Sequence, residues 1–307
     1  MRKTSLAALA LLPLLALTPP ASGASKSPAP KSAAPKTTAD VIAQAPASDW
    51  RPLDPERTLY MDLPAGRVII ELAPAFAPAH FANIKTLVRE HYFDGLWIER
   101  AQDNYVVQWG DADTKKPTGS AKTTVPAEFD APIAASKPFT PLPDRDTYAP
   151  ETGFTRGFPV ARDPKIGKAW MAHCYAMVGV GRDNAPDSGP GTELYAVIGN
   201  APRGLDRNVA LIGRVVQGME LLSVMPRGTA TMGFYDKPEQ RTAIRQVRFA
   251  VDLPPAQRVN LEVMRTESKS FSEWVQAKRF PASDWFVAKA GHVELCNVNP
   301  PSRPIAH

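Results

Sequence analysis

The chain has 307 residues, of which 44% are hydrophobic and 22% charged, values that suit a globular protein with a buried core. The formal net charge of +5 is spread along the chain without a block of like charge, which argues against nucleic-acid binding. Two cysteines and five dispersed histidines do not form a metal-binding pattern, so we expect neither a metal nor a cofactor.

The N-terminus has the pattern of an export signal. Arg2 and Lys3 precede an apolar run over 6–17, and small residues follow, which predicts a secretory signal peptide over 1–24. No later stretch is apolar enough to cross a bilayer, so we expect a periplasmic protein without a membrane span. Residues 25–47 are mostly Ala, Pro, Ser, Lys and Thr, which predicts a disordered linker.

The first folded elements follow in a regular order. Two short runs rich in apolar residues, 58–63 and 67–72, flank a Pro-Ala-Gly turn and predict a β-hairpin. Apolar residues three or four apart then predict a helix over 78–91. The next stretch, 94–111, reads DGLWIERAQDNYVVQWGD and places Arg100 between apolar neighbours before a Gly-Asp turn.

The second half of the chain is less regular. Residues 112–168 are rich in Pro, Thr, Lys and Asp and predict an irregular insertion that acts as a functional loop or lid. Residues 253–307 predict a packed C-terminal extension, with a short helix near Phe271 capped by Ser270 and a strand over 292–298. The other predicted elements are strands over 158–162, 169–180, 192–198, 210–216 and 244–251, and a short helix over 219–225; the first two strands are expected to form a hairpin along one sheet edge.

An ordered series of segments resembles the cyclophilin-type peptidyl-prolyl isomerases. The resemblance covers about 58–252 and implies a cyclophilin-like domain over 48–252. It implies a mainly β fold, a closed eight-stranded antiparallel barrel capped by two helices. The matching segments are GRVIIEL (66–72), APAHFANIKTLVREHYFDG (77–95), WIERAQDNYVVQWGD (97–111), VPAEF (125–129), VGRDNAPDSGPGTELYAVIG (180–199) and GLDRNVALIGRVVQGMELL (204–222).

The resemblance also assigns a site. Rotation about an X–Pro bond faces a barrier of roughly 18–20 kcal/mol because the nitrogen lone pair is shared with the carbonyl group. A positive donor aimed at the prolyl nitrogen favours the twisted, unconjugated state, and an apolar pocket holds the ring. By position, Arg100 matches the catalytic arginine of the family. The residues that match its substrate-binding pocket are Tyr105, Val106, Gln108, Glu193, Tyr195, Leu205 and Val209.

Four positions that bear on the site depart from the family pattern. Tyr105 and Tyr195 stand where phenylalanine is usual, and Glu193 places a carboxylate where a neutral glutamine usually contacts the substrate backbone. Glu99 precedes Arg100 where histidine is frequent. Because neighbouring residues on a strand point to opposite faces, we expect Glu99 to point away from Arg100.

The leading interpretation is a monomeric isomerase that assists the folding of exported, proline-containing polypeptides. One alternative is a catalytically weak cyclophilin-like module that binds peptides or acts as a chaperone. Another is an assembly subunit that binds its partner through 253–307. Cys174 and Cys296 are compatible either with a disulfide or with two separate buried thiols.

Overall fold

The computed structural model describes residues 36–111, 113 and 115–305, so the predicted signal peptide lies outside the described residues. No helix in the described part of the chain is long and apolar enough to span a membrane. The α-helices found there are α1 (Thr38–Gln44), α2 (Pro78–Arg89), α3 (Met219–Ser223) and α4 (Lys269–Arg279). The strands found there are β1 (Trp50–Pro52), β2 (Thr58–Leu63), β3 (Gly66–Leu72), β4 (Trp97–Ala101), β5 (Val106–Gly110), β6 (Ala131–Pro132), β7 (Thr140–Pro141), β8 (Glu151–Thr155), β9 (Phe158–Asp163), β10 (Lys168–Met171), β11 (Met177–Val180), β12 (Glu193–Val197), β13 (Leu211–Gln217), β14 (Thr242–Ala243), β15 (Gln246–Phe249), β16 (Leu261–Met264) and β17 (Ser302–Pro304).

The largest sheet has nine strands and carries the segments that resemble the family. Its order is β14-β4-β5-β12-β11-β13-β3-β2-β15, and the paired neighbours are antiparallel. The helix α2 packs on its inner face through Ile84, Leu87 and Val88, which belong to the same buried cluster as the strand side chains. This helix stops before His91, whose φ of 58° lies in the left-handed region.

The sheet is an open, curled half-barrel, so the predicted closed eight-stranded barrel is wrong. The predicted last strand, 244–251, is confirmed only over β15, and the separate edge strand β14 precedes it. The Ile244 amide donates to the Leu96 carbonyl at 2.8 Å, while the next amide, Arg245, donates to the Asp62 carbonyl, also at 2.8 Å. Because the chain changes partners between two consecutive residues, no continuous strand closes the sheet.

The segment predicted as an irregular insertion forms most of a second sheet, which corrects that prediction. Its five strands follow the order β6-β10-β9-β8-β7. Their buried positions include small and polar residues such as Thr152, Thr155, Ala161 and Ala169, so the sequence shows no apolar alternation. The predicted strand 169–180 is also wrong as a single element. Its first part is β10 of this sheet, and its last part is β11 of the large sheet.

A third small sheet, β1-β16-β17, joins the start of the described chain to the C-terminal extension. The linker prediction is wrong for its last part, because residues 38–44 form α1, and residues 25–35 lie outside the described residues. Thr37 and Asp40 form a capping box at its start, and Val41 is buried in a second hydrophobic cluster. The same cluster contains Phe271 of α4, so α1 and the C-terminal extension share one core.

The C-terminal extension differs from its prediction in two details. The helix α4 begins two residues earlier than expected, because the Ser268 hydroxyl accepts the Phe271 amide at 3.0 Å and so acts as the N-cap in place of Ser270. The predicted strand over 292–298 is wrong, since this part runs without a strand partner and contains a 3₁₀ turn at Leu295–Asn297. The Cys174 and Cys296 sulfur atoms are bonded at 2.07 Å, which ties the extension to the chain between β10 and β11.

Candidate active site

The site is built on the hairpin of β4 and β5, which falls inside the stretch 94–111. Asn104 takes a left-handed φ of 51° at its turn, and the two strands then place Arg100 directly opposite Gln108. The register shifts between Ile98 and Arg100, so a bulge lies at Glu99. Arg100 is only 7% exposed, and both it and Gln108 line a cavity on the sheet.

The Arg100 guanidinium is held by three acceptors. Its Nε donates to the Met232 carbonyl at 2.7 Å, its Nη1 donates to Gln108 Oε1 at 2.8 Å, and its Nη2 donates to Gln102 Oε1. The Phe234 ring centroid lies 5.3 Å from the guanidinium carbon, a distance at which the ring face attracts a cation. Three of the five N–H groups of arginine are therefore engaged, and the remaining hydrogens on Nη1 and Nη2 are available to a ligand.

Burial lowers the pKa of Arg100, while the nearby Tyr105 and Glu193 act in the opposite direction. The guanidinium remains a cation at neutral pH, because arginine begins from a pKa above 12. A partly desolvated cation exerts a stronger field than one in water, because the surrounding dielectric is lower. This position therefore suits stabilisation of negative charge that develops on a bound group.

Gln108 bridges Arg100 and Glu193. Its Oε1 accepts from the guanidinium, and its Nε2 donates to Glu193 Oε2, so both ends of the amide are fixed. Burial raises the pKa of the Glu193 carboxyl, the bond from Gln108 lowers it, and the charges of Asp183 and Asp111 raise it further. The carboxylate that departs from the family pattern is thus part of the site and is coupled to Arg100 through one amide.

All the side chains assigned to the site from the sequence line one cavity of about 1040 Å³. One wall is apolar, because Val106 and Tyr195 pack together with Val197 in a small buried cluster that Tyr105 and Val209 adjoin. Leu205 lines the same cavity from the loop that precedes β13. The residues brought together are Arg100, Tyr105, Val106, Gln108, Glu193, Tyr195, Leu205 and Val209.

Comparisons with known proteins agree with this geometry. The family model "Cyclophilin type peptidyl-prolyl cis-trans isomerase/CLD" matches residues 58–249, which is more than half of the chain. The chain belongs to this family. A probable peptidyl-prolyl cis-trans isomerase of Brucella suis is 26% identical over 188 residues, which cover 61% of this chain and 81% of the relative. A related protein of Brucella melitensis, also described as a probable peptidyl-prolyl cis-trans isomerase, has the same identity and coverage.

The solved structure of cyclophilin AquaCyp293 from Hirschia baltica superposes with a TM-score of 0.70 at 25% identity. The superposition covers 87% of this chain and 97% of the Hirschia protein, so it extends beyond the range of the family model. Parts of the chain outside 58–249 therefore have counterparts in the Hirschia protein.

Glu99 lies outside the site of this cyclophilin. Its side chain is buried, with 4% exposure, and it is not among the described residues that line the cavity, whereas its neighbour Arg100 is. The prediction that the two point to different sides agrees with this arrangement. The carboxylate that bears on Arg100 is therefore Glu193, which is distant in sequence.

Four contributors to the cyclophilin site were missed by sequence reasoning. Gln102 could have been found, because it follows β4 directly and lies two residues after Arg100, the spacing at which side chains of an extended chain share a face. Met232 and Phe234 come from a loop without periodic apolar positions, so no pattern marked them. His173 is fully buried and bonds to the Tyr195 hydroxyl, but nothing in its local sequence shows that it reaches β12.

Proposed function

We propose that this cyclophilin catalyses cis–trans isomerisation of X–Pro bonds, with Arg100 as the catalytic donor. The observation that supports this most directly is the fixed guanidinium beside an apolar wall in one cavity. The wall formed by Val106 and Tyr195 suits a prolyl ring, and the remaining N–H groups of Arg100 suit the prolyl nitrogen. Neither the binding of the prolyl ring nor the donation to the prolyl nitrogen needs a nucleophile, a general base or a metal.

The donor contributes most in the twisted transition state. In the planar peptide the nitrogen lone pair is delocalised into the carbonyl group, so it accepts poorly. When the bond twists, the lone pair localises and the nitrogen becomes a better acceptor. A donation from Arg100 is therefore stronger in the transition state than in the ground state, which is the condition for rate acceleration.

The substrates proposed are flexible, proline-containing segments of exported proteins, and the place of action proposed is the periplasm. The apolar run over 6–17 after Arg2 and Lys3 supports export. The bond between Cys174 and Cys296 supports an oxidising compartment, where such bonds persist. Fusion of the C-terminus to a reporter that is active only in the periplasm tests this, since a fusion that is expressed but inactive would contradict it.

The activity is tested by a protease-free isomerisation assay on an Ala-Pro tetrapeptide. Removal of one preorganised donor typically costs about 100- to 1000-fold in rate. The isomerisation rate of Arg100→Ala is therefore expected to be lower than that of the wild type by about this factor. Arg89→Ala is the matched control, because Arg89 is half exposed on α2 and pairs with Asp252 away from the cavity. Wild-type enzyme that isomerises the peptide no faster than Arg100→Ala would contradict the proposed activity.

A peptide-binding module with weak turnover is a second candidate, and one observation favours it. The Gln108 amide donates one of its two N–H groups to Glu193, so only the other is left for a substrate backbone. In such a module, peptide binding and suppression of aggregation would survive Arg100→Ala, and the wild type would show no turnover. Measurable turnover in the wild type that depends on Arg100 excludes this candidate.

A further inference from the structure

The Tyr195 hydroxyl lies on the far side of the apolar wall from the cavity. On the paired strand β11, Gly179 stands directly opposite Tyr195, and any Cβ at that position would collide with the tyrosine ring and its oxygen. The ring therefore passes over a glycine and carries its hydroxyl into the protein interior. Tyr195 is 6% exposed, and its burial raises the pKa of the hydroxyl, which stays protonated.

The partner of this hydroxyl is the imidazole ring of His173. Its Nε2 lies 2.9 Å from Tyr195 Oη, and its Nδ1 lies 3.0 Å from Asp206 Oδ1. A carboxylate only accepts, so Nδ1 carries the proton, and in the neutral ring Nε2 is the acceptor for the tyrosine. The His173 side chain has no exposure to solvent, and the proposed isomerisation step does not use it.

The chain of contacts continues to the second sheet. Asp206 accepts from Arg203 Nε at 2.5 Å, and Arg203 Nη1 donates to Asp146 at 2.9 Å. Burial would raise the pKa of Asp206, but the bonds from His173 and the charge of Arg203 outweigh it and lower that pKa. Asp146 belongs to the segment between β7 and β8, so a carboxylate of the second sheet supports a ring of the cavity wall.

We propose that His173 is a positioning residue of the proline pocket, acting through the Tyr195 hydroxyl. Asp206, Arg203 and Asp146 hold His173 in place, which makes the second sheet part of the substrate site. The inference rests on the proposed function, because it concerns how the pocket holds a prolyl ring. Phenylalanine, the usual family residue, needs no partner, whereas a buried hydroxyl is unfavourable without one. The tyrosine and its histidine therefore form one functional pair.

The pair is expected to act on substrate affinity. The apolar wall contacts the prolyl ring equally in the planar and the twisted state of the peptide bond. A less rigid wall therefore weakens the binding of both states by the same amount. Such a loss raises KM and leaves kcat unchanged. The net effect of one hydrogen bond corresponds to a change of about 3- to 10-fold in KM. Arg100, in contrast, is expected to act on kcat.

The test compares Tyr195→Phe, His173→Leu and His173→Gln, with kcat and KM measured on the Ala-Pro tetrapeptide. A glutamine amide oxygen can take the place of Nε2 as acceptor, but both His173 variants lose the bond to Asp206. We expect KM to rise about 3- to 10-fold in Tyr195→Phe and His173→Leu, and by a smaller factor of about 2 to 3 in His173→Gln, which keeps an acceptor for the hydroxyl but loses the bond to Asp206. Equal KM values for the leucine and glutamine variants would overturn the proposal, as would a fall in kcat at constant KM.

Tyr195→Phe decides the outcome if His173→Leu does not fold, because it removes a single oxygen atom. The link to the second sheet is tested with Asp146→Asn, which is expected to raise KM by a smaller factor of about 2 to 3. Its matched control is Glu151→Gln, whose carboxylate pairs with Arg162 on the same sheet away from the cavity. An identical KM for Asp146→Asn and Glu151→Gln would overturn the proposed link between the second sheet and the proline pocket.

Peptide affinity keeps this test distinct from the proposed activity. The dissociation constant of the tetrapeptide, measured by NMR titration, does not depend on turnover. If the wild type binds the peptide but does not isomerise it, the proposed activity is wrong and the role of His173 is still read from the dissociation constants. Unchanged constants in Tyr195→Phe and His173→Leu would then overturn the positioning role by itself.

Discussion

Replacement of Glu193 by glutamine is expected to increase isomerase activity. The Gln108 amide lies between the Glu193 carboxylate and the Arg100 guanidinium, and it bonds to both. A glutamine at position 193 still accepts the Gln108 donor, so the variant removes a charge while it preserves the hydrogen-bond chain. The negative charge opposes the positive potential that Arg100 supplies to the prolyl nitrogen, and its removal strengthens that potential.

The size of the effect follows from the geometry. Two hydrogen bonds and one amide separate the charges by about 7 Å, and at an effective dielectric constant of about 20 they interact by about 2 kcal/mol. Only the part of this field that differs between the planar and twisted states changes the rate. If a third to a half of it does so, kcat/KM rises by roughly 3- to 5-fold.

The pH dependence of this effect has a definite sign. The pKa of Glu193 is raised above the ordinary value of 4.5, so the carboxyl becomes neutral at a higher pH than an exposed glutamate. The charge is present above this raised pKa and is lost as the pH falls through it. The ratio of Glu193→Gln to wild-type kcat/KM is therefore largest at neutral pH and approaches one as the pH falls below the raised pKa of Glu193.

The assay is exchange NMR on the Ala-Pro tetrapeptide across this pH range, which avoids a coupled protease with its own pH profile. Thermal unfolding of both proteins at each pH controls for loss of the fold. A variant slower than the wild type at neutral pH would refute the electrostatic reasoning and would assign Glu193 a supporting role. A ratio independent of pH would refute the link to the Glu193 charge.

Three further variants test the fold and the cavity wall. Gly179→Ala is expected to displace the Tyr195 ring and to raise KM at least about 3-fold in the same NMR assay, because the new Cβ collides with that ring. Phe271→Ala is expected to lower the free energy of unfolding by about 3–5 kcal/mol in urea, because Phe271 is fully buried, whereas Phe280→Ala on the exposed side should change it by less than about 0.5 kcal/mol. Cys296→Ser is expected to cost about 2–5 kcal/mol of stability, measured in the same way, with reduction of the wild type as the reference.

Each of these expectations has an outcome that contradicts it. Gly204→Ala is the control for Gly179→Ala, since a Cβ at Gly204 meets nothing within 4 Å, and equal KM values for both would contradict the packing argument. Equal stabilities of Phe271→Ala and Phe280→Ala would contradict the assignment of a second core. A Cys296→Ser protein as stable as the oxidised wild type would contradict a stabilising disulfide.

The position of Arg100 on a strand could be predicted because its pattern is local, whereas the division of 94–111 into the two strands β4 and β5 was not predicted. The helix over 78–91 and the strands on either side also agree with the structure within two residues at most boundaries. The alternation that placed Glu99 and Arg100 on different sides needed only the pleat of one strand. The contact between Gln108 and Glu193 could not be predicted from a local pattern, because it depends on the register of β5 against β12.

The rest of the fold could not be predicted, for physical reasons that differ by region. The second sheet buries threonines and alanines such as Thr152 and Ala161, so its strands lack an apolar alternation. The half-barrel stays open because the chain changes hydrogen-bond partners between Ile244 and Arg245. This change depends on backbone hydrogen bonds, so the pattern of side chains does not predict it. The helix over 38–44 was missed because its stability depends on packing against α4, which lies far along the chain.

The central claim is that an oriented Arg100 guanidinium accelerates rotation about the X–Pro bond. The most direct test is the exchange rate of peptide bound to saturated Arg100→Lys, since lysine keeps the charge but cannot bond Met232, Gln102 and Gln108 together. We predict an exchange rate at least about 10-fold below wild type, with the peptide dissociation constant changed by less than about threefold. A wild-type exchange rate in both Arg100→Lys and Arg100→Ala would contradict the claim.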